Sequence, residues 1–131
     1  MPLLATRRAV VLRLSLAVVT LAVAGSAATA HHSYVTKYDS ARLTRLAGTV
    51  TSVTYQNPHI FFTLDVGGAN WSVETESIPV AQANGLTQTK LVEGAKVTIT
   101  GWPSKEKSAE IGLATITFEK GGTITMRKTA R

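Results

Sequence analysis

The sequence predicts a mostly β fold, a small closed barrel of five to six strands with one short helix. Three observations carry that prediction. Beyond residue 30 the chain is rich in Thr, Val and Ile, whose branched side chains suit a pleated surface. Apolar and polar residues alternate there in short runs broken by Gly, Pro and Asn, with no long stretch at helical spacing. Two of the longer runs also change phase midway, as strands that coil around a barrel do.

The elements follow in order. Strand one is expected over Thr44–Tyr55, with Leu46 and Val50 on one parity, Val53 and Tyr55 on the other, and a bulge near Gly48. Gln56-Asn57-Pro58 makes a turn. Strand two, His59–Val66, sets Ile60, Phe62, Leu64 and Val66 inward and His59, Phe61, Thr63 and Asp65 outward. A four-residue turn, Gly67-Gly68-Ala69-Asn70, leads to strand three, where Trp71, Val73 and Thr75 face in and Ser72, Glu74 and Glu76 face out. That turn sets Val66 opposite Trp71 and Glu76 opposite Phe61. Glu76 then lies diagonal to His59, and Glu74 faces Thr63. Ile78–Gly85 holds a short helix ending at Gly85. Strand four spans Ala95–Trp102, strand five Ser108–Phe118 with a second phase switch near Gly112, and a last short strand Thr123–Met126. Trp71 and Trp102 are expected to fill the barrel ends. Five main strands, two of them coiled, with a helix between the third and fourth, suit an OB-like barrel. A β-sandwich is the alternative.

Residues 1–30 stand apart. Arg7, Arg8 and Arg13 without any acid, then the apolar run Leu14–Ala24, then small residues to Ala30, make a cleavable export signal too short to remain as a membrane span. Cleavage fits after Ala30 or after Ala28. Thr6-Arg7-Arg8 leaves the general and the twin-arginine routes both open. The domain plan is thus a signal peptide over 1–30, an N-terminal arm over 31–43, a barrel over 44–126 and a basic tail over 127–131. The expected location is periplasmic or secreted.

Removing residues 1–30 leaves 101 residues. It takes three of the 14 Lys and Arg and none of the 8 Asp and Glu, so the net charge falls from +6 to +3. A mild charge on an exported chain excludes nucleic acid as the expected partner. The chain has no cysteine, which removes thiolate chemistry and zinc–cysteine sites. No nucleophile–base pair or opposed carboxylates can be placed, so no catalytic residue is assigned and no enzyme activity is expected.

Several residues form a recognisable set: His31-His32-Ser33-Tyr34, Tyr38-Asp39, Gly48-Thr49-Val50, Asn57-Pro58-His59, Asp65-Val66, Trp71, Glu74, and Gly94-x-x-Val97-x-x-x-Gly101. With them the chain resembles the small exported bacterial proteins of domain-of-unknown-function family 6152 (DUF6152), across nearly all of the segment after residue 30. The resemblance implies these boundaries and this fold. It implies no activity.

The histidines carry the functional expectation. The only three are His31, His32 and His59, two at the new N-terminus and one at a tight turn. Cleavage after Ala30 frees the His31 amine, which can chelate a metal together with its own ring Nδ1. His59 or His32 would complete a three-nitrogen set that favours copper(II). Cleavage after Ala28 would instead start the chain Thr29-Ala30-His31, a square-planar site for Cu(II) or Ni(II). Glu76 is the expected axial ligand or outer carboxylate. Absence of cysteine and the single Met126 past the signal argue against Cu(I). The expected partner is a metal ion or small ligand, or a periplasmic protein. The alternative is a metal-free adaptor using Tyr55 and Phe61 as a ligand face, unless the arm folds over them.

Overall fold

The computed structural model describes residues 34–127. Two compact units divide at Tyr34 and Val35, and every strand lies in the second. The expected signal peptide, His31 and His32, and residues 128–131 of the basic tail fall outside the described residues.

Strands β1 (Thr44–Gln56), β2 (His59–Val66) and β3 (Ala69–Ser77) form a meander, and helix α1 (Ile78–Ala83) follows directly. Strands β4 (Lys96–Pro103), β5 (Glu110–Phe118) and β6 (Gly122–Thr125) complete the sheet. The strand order is β3-β2-β1-β4-β5-β6, and an additional β3–β5 pairing closes the first five into a barrel. That closing pair is parallel, Ser72 to Glu110, Val73 to Ile111 and Glu74 to Gly112, while every other pair is antiparallel. A five-stranded barrel with its helix between β3 and β4 is the OB-like arrangement the sequence predicts, with β6 added along the end of β5.

Alternation along the strands puts one residue in two inside. Val50, Ile60, Phe62, Leu64, Val73, Ile99, Leu113 and Ile116 fill the barrel, and Ala81 of α1 with Leu86 and Leu91 joins the same apolar cluster. No helix among the described residues is long and apolar enough to cross a membrane.

The expected phase switches exist, displaced from the glycines. β1 bulges against β2 between Val50 and Ser52, and β5 carries an extra residue opposite Thr100 and Gly101. The glycines serve close approach instead. A Cβ on Gly48 would stand 2.1 Å from the Asp65 carbonyl oxygen, and one on Gly101 would stand 2.2 Å from that of Gly112. These are the places where strands cross too tightly for any side chain.

The β2–β3 hairpin departs from the expectation. Its turn has two residues, Gly67 and Gly68, with φ of +61° and +91°, and the Asp65 carboxylate accepts from the Gly68 amide at 2.8 Å. Two positive φ values define a primed turn matched to strand twist. Val66 therefore pairs with Ala69, and Phe61 with Glu74. The expected register is off by two, which keeps every side chain on its expected face and changes each partner.

Ahead of β1, the arm runs along the loop between β4 and β5. Tyr38 bridges to Ser104. The Asp39 amide donates to the Pro103 carbonyl and the Lys105 amide to the Lys37 carbonyl, both at 2.9 Å. Trp71 packs partly buried against the central cluster, as expected. Trp102 is buried but does not belong to that cluster. It pairs with Gly112, which also pairs with Glu74, so its row lies on the barrel's outer side.

Candidate functional site

The outer face of β2, β3 and β5 carries a cluster of charged side chains sealed by the arm. His59 is the first residue of β2, set there by the two-residue Asn57-Pro58 turn, in which Gln56 pairs with His59. Glu74 stands opposite Phe61 in β3, with an irregularity between Phe61 and His59 that brings its carboxylate across. Glu110 opens β5 beside Ser72. Lys37 and Tyr38 come from the arm, some 36 residues from β3 in the chain.

Glu74 is the centre. Its Oε1 lies 2.7 Å from His59 Nδ1. Its Oε2 accepts from Lys37 Nζ at 2.6 Å and from the Tyr38 hydroxyl at 2.5 Å. Lys37 also pairs with Glu110 at 3.1 Å, and Lys107 stands 3.7 Å from the other oxygen of Glu110. Glu74 and Glu110 are each only 8% exposed, and Tyr38 is completely buried.

Burial by itself pushes the Glu74 carboxyl up, yet the hydrogen bonds from Lys37 and Tyr38, the Lys37 charge and the bond to His59 together outweigh it. The group is held below the ordinary carboxylate range. Lys37 mirrors this: burial pulls its ammonium down, and pairing with Glu74 and Glu110 carries it above its ordinary value. Glu74 and Lys37 are therefore both ionised at neutral pH.

An ionised carboxylate only accepts, so a neutral His59 ring carries its proton on Nδ1 and leaves Nε2 unprotonated. The side chain is 32% exposed. That is the arrangement of a histidine prepared by an outer carboxylate to bind a metal or take a proton. Phe61 lies beside it on the same face, ring centroids 6.3 Å apart. Among the described residues no group of three His, Asp or Glu side chains converges to hold a metal.

Two sequence expectations are corrected here. Glu76 does not approach His59: the two-residue turn gives that position to Glu74, and the Glu76 carboxylate pairs with Arg127. Tyr55 and Phe61 do not share a face. Tyr55 pairs with the fully buried Ile60 and packs on the core, where burial raises its pKa. Its hydroxyl is buried without a hydrogen-bond partner. Hollows of about 420 and 500 Å3 lie instead on β1, β4 and the end of β5, around Lys96 and Phe118. Lys37 and Glu110 escaped the sequence reading altogether, and Tyr38 entered it only among the residues of the family resemblance, since nothing local in the sequence folds the arm onto β3.

The barrel is similar to solved structures of other proteins. A ZRD-deleted mutant of TiaS, a tRNA agmatidine synthetase, in complex with agmatine matches with 23% identity and a TM-score of 0.52, over 71% of this chain and 28% of the synthetase. The chain thus spans little more than a quarter of that enzyme. The complex of TiaS with its tRNA, AMPCPP and agmatine matches with 23% identity and a TM-score of 0.46, over 63% of this chain and 20% of the other. Rim1, a mitochondrial single-stranded DNA binding protein of S. cerevisiae, matches with 17% identity and a TM-score of 0.46, over 62% of this chain and 96% of its own. These likenesses are of fold. One expectation is corrected: the neighbour matched at a TM-score of 0.52 is a tRNA agmatidine synthetase, so the exclusion of nucleic acid as a partner does not stand. No curated protein matches the chain. The family described as "Family of unknown function (DUF6152)" matches residues 17–114, three quarters of the sequence and most of the barrel with its His59–Glu74 pair, and the chain belongs to that family.

Proposed function

We propose that this is an exported accessory protein without catalytic activity, which binds a Cu(II)-type ion through His59 Nε2 and the amine and ring of an N-terminal His31. The observation that supports this most is the 2.7 Å contact from His59 Nδ1 to the buried Glu74 carboxylate, which leaves Nε2 as the lone-pair donor of a neutral, partly exposed ring. Metal-binding histidines are fixed in this way, by a carboxylate on the other ring nitrogen. Export is supported by the composition of residues 1–30. Lys37 lies six positions after His31, so the new N-terminus is tethered within about 20 Å of Lys37.

The test is a Cu(II) titration of protein processed to begin at His31. Substituting His59→Ala, or adding one residue before His31, is expected to weaken binding by more than the roughly 10–100-fold that loss of an outer-shell partner costs. Equal affinity in all three proteins sinks the metal reading and favours the metal-free adaptor. An intact mass of protein recovered from the periplasm, starting at His31, is expected if the export reading holds. A mass that retains residues 1–30 overturns it.

A further inference from the structure

We infer that Lys37 and Tyr38 are positioning residues for the metal at His59, and that docking of the arm and occupation of His59 are linked through the single carboxylate of Glu74. The inference rests on the reading of His59 as a metal ligand.

The division of labour on that carboxylate is the basis. Oε1 belongs to His59 and Oε2 to the arm, through Lys37 Nζ and the Tyr38 hydroxyl. Lys37 and Tyr38 lie against Glu74, which is 8% exposed. With the arm lifted, Oε2 is solvated, the carboxylate regains rotamer freedom, and the His59 ring loses the partner that fixes its tautomer and its plane. The reverse follows from the chemistry of the ring. A cation bound at Nε2 makes Nδ1–H a stronger donor, which favours an ionised, fixed Glu74 and hence the contacts of Lys37 and Tyr38. The backbone secures the same segment from the other side, through Asp39 to Pro103 and Lys105 to Lys37. Arm docking and metal binding are thus two events sharing one group, and linkage makes their coupling reciprocal.

The experiment compares Cu(II) affinity of processed wild-type protein with Tyr38→Phe, Lys37→Met and Lys37→Arg, alongside hydrogen exchange of the Asp39 and Lys105 amides with and without Cu(II). Tyr38→Phe keeps the buried ring and removes only the hydroxyl, so it tests the inference even if Lys37→Met does not fold. The expected result is a loss of about tenfold in affinity for Tyr38→Phe and for Lys37→Met, with Lys37→Arg close to wild type. Cu(II) is expected to slow exchange at the two arm amides. If wild-type protein binds Cu(II) through His59 while Tyr38→Phe stays within twofold and the amides exchange unchanged, the inference alone falls. If wild-type protein binds no Cu(II) through His59, the proposed function falls and the inference with it.

Discussion

Replacing Glu74 with Gln exchanges one oxygen for an amide nitrogen and is expected to have two separate consequences. The amide has one acceptor and one donor end where the carboxylate has two acceptors. Lys37 donates only, so the remaining oxygen, standing where Glu74 Oε2 stands, keeps Lys37 and Tyr38, and the new amide nitrogen turns to His59. An N–H aimed at Nδ1 forces the ring proton onto Nε2, which removes the lone pair a metal needs. The stability cost follows from the same geometry. Breaking a buried pair by removing one partner costs about 3–5 kcal/mol when a charge is stranded, but Lys37 retains Glu110 at 3.1 Å, so a loss nearer 2 kcal/mol is expected. For a domain of this size that lowers Tm by roughly 8–16 °C.

Acid dependence gives the sign. Folding holds Glu74 below its ordinary value of 4.5, so its contribution is present above pH 4.5 and is lost as pH falls through the lower folded value. The stability gap between wild type and Glu74→Gln is expected to narrow there. Urea unfolding of metal-free protein across pH measures the gap, and nitrogen NMR of His59 reads the tautomer. A loss under about 0.5 kcal/mol at pH 7, or a ring that keeps its proton on Nδ1, refutes the reasoning.

Glu76→Gln serves as the contrast. Its partner is Arg127 and it touches neither His59 nor the arm, so Cu(II) affinity in the titration above is expected to match wild type. Lys37→Met removes the ammonium shared by two carboxylates that are each 8% exposed, leaving Glu74 with Tyr38 and His59 and Glu110 with Lys107, and is expected to destabilise the protein by urea unfolding. Because folding raises Lys37 above its ordinary 10.5, its contribution is full below pH 10.5 and is lost as pH rises through the higher folded value; the Met variant is expected to lack that alkaline loss. Gly101→Ala drives a Cβ to 2.2 Å from the Gly112 carbonyl oxygen and is expected to cost about 3 kcal/mol or more. Gly94→Ala, with φ of +85° and open space around it, is expected to cost only backbone strain, about 1 kcal/mol, and thermal melts of the two variants test the ranking.

The fold was legible because its information is local. Alternation over His59–Val66 assigned faces to every residue of β2 correctly, and the turn residues marked the strand ends to within about two positions. Parity survived even where register did not, since a two-residue shift in the β2–β3 hairpin leaves each side chain on its own face. Tyr55 was misplaced for the opposite reason. The bulge between Val50 and Ser52 turns the later half of β1 over, so Tyr55 points into the core, and a phase switch in sequence does not say which residues keep company on the far side of it.

The site divides along the same line. His59 was legible as a histidine fixed at a tight turn. Its carboxylate depended on how many residues form the next turn, and here a signal was present: Gly67-Gly68 supplies positive φ at two successive positions, which a two-residue primed turn requires and a longer loop does not. Counting back from that turn sets Glu74, not Glu76, opposite Phe61 and next to His59. Nothing comparable announces Lys37 or Glu110, or the role of Tyr38. Their meeting depends on closure of the barrel by β3 and β5 and on the arm lying along the β4–β5 loop, contacts spanning from 36 residues to more than 60 in the chain. Such contacts follow from the whole fold rather than from any window of sequence. A buried carboxylate on an outward strand position is nevertheless a physical anomaly: Glu74 is covered on the face that should be wet. The segment that covers it is the arm, through Lys37 and Tyr38.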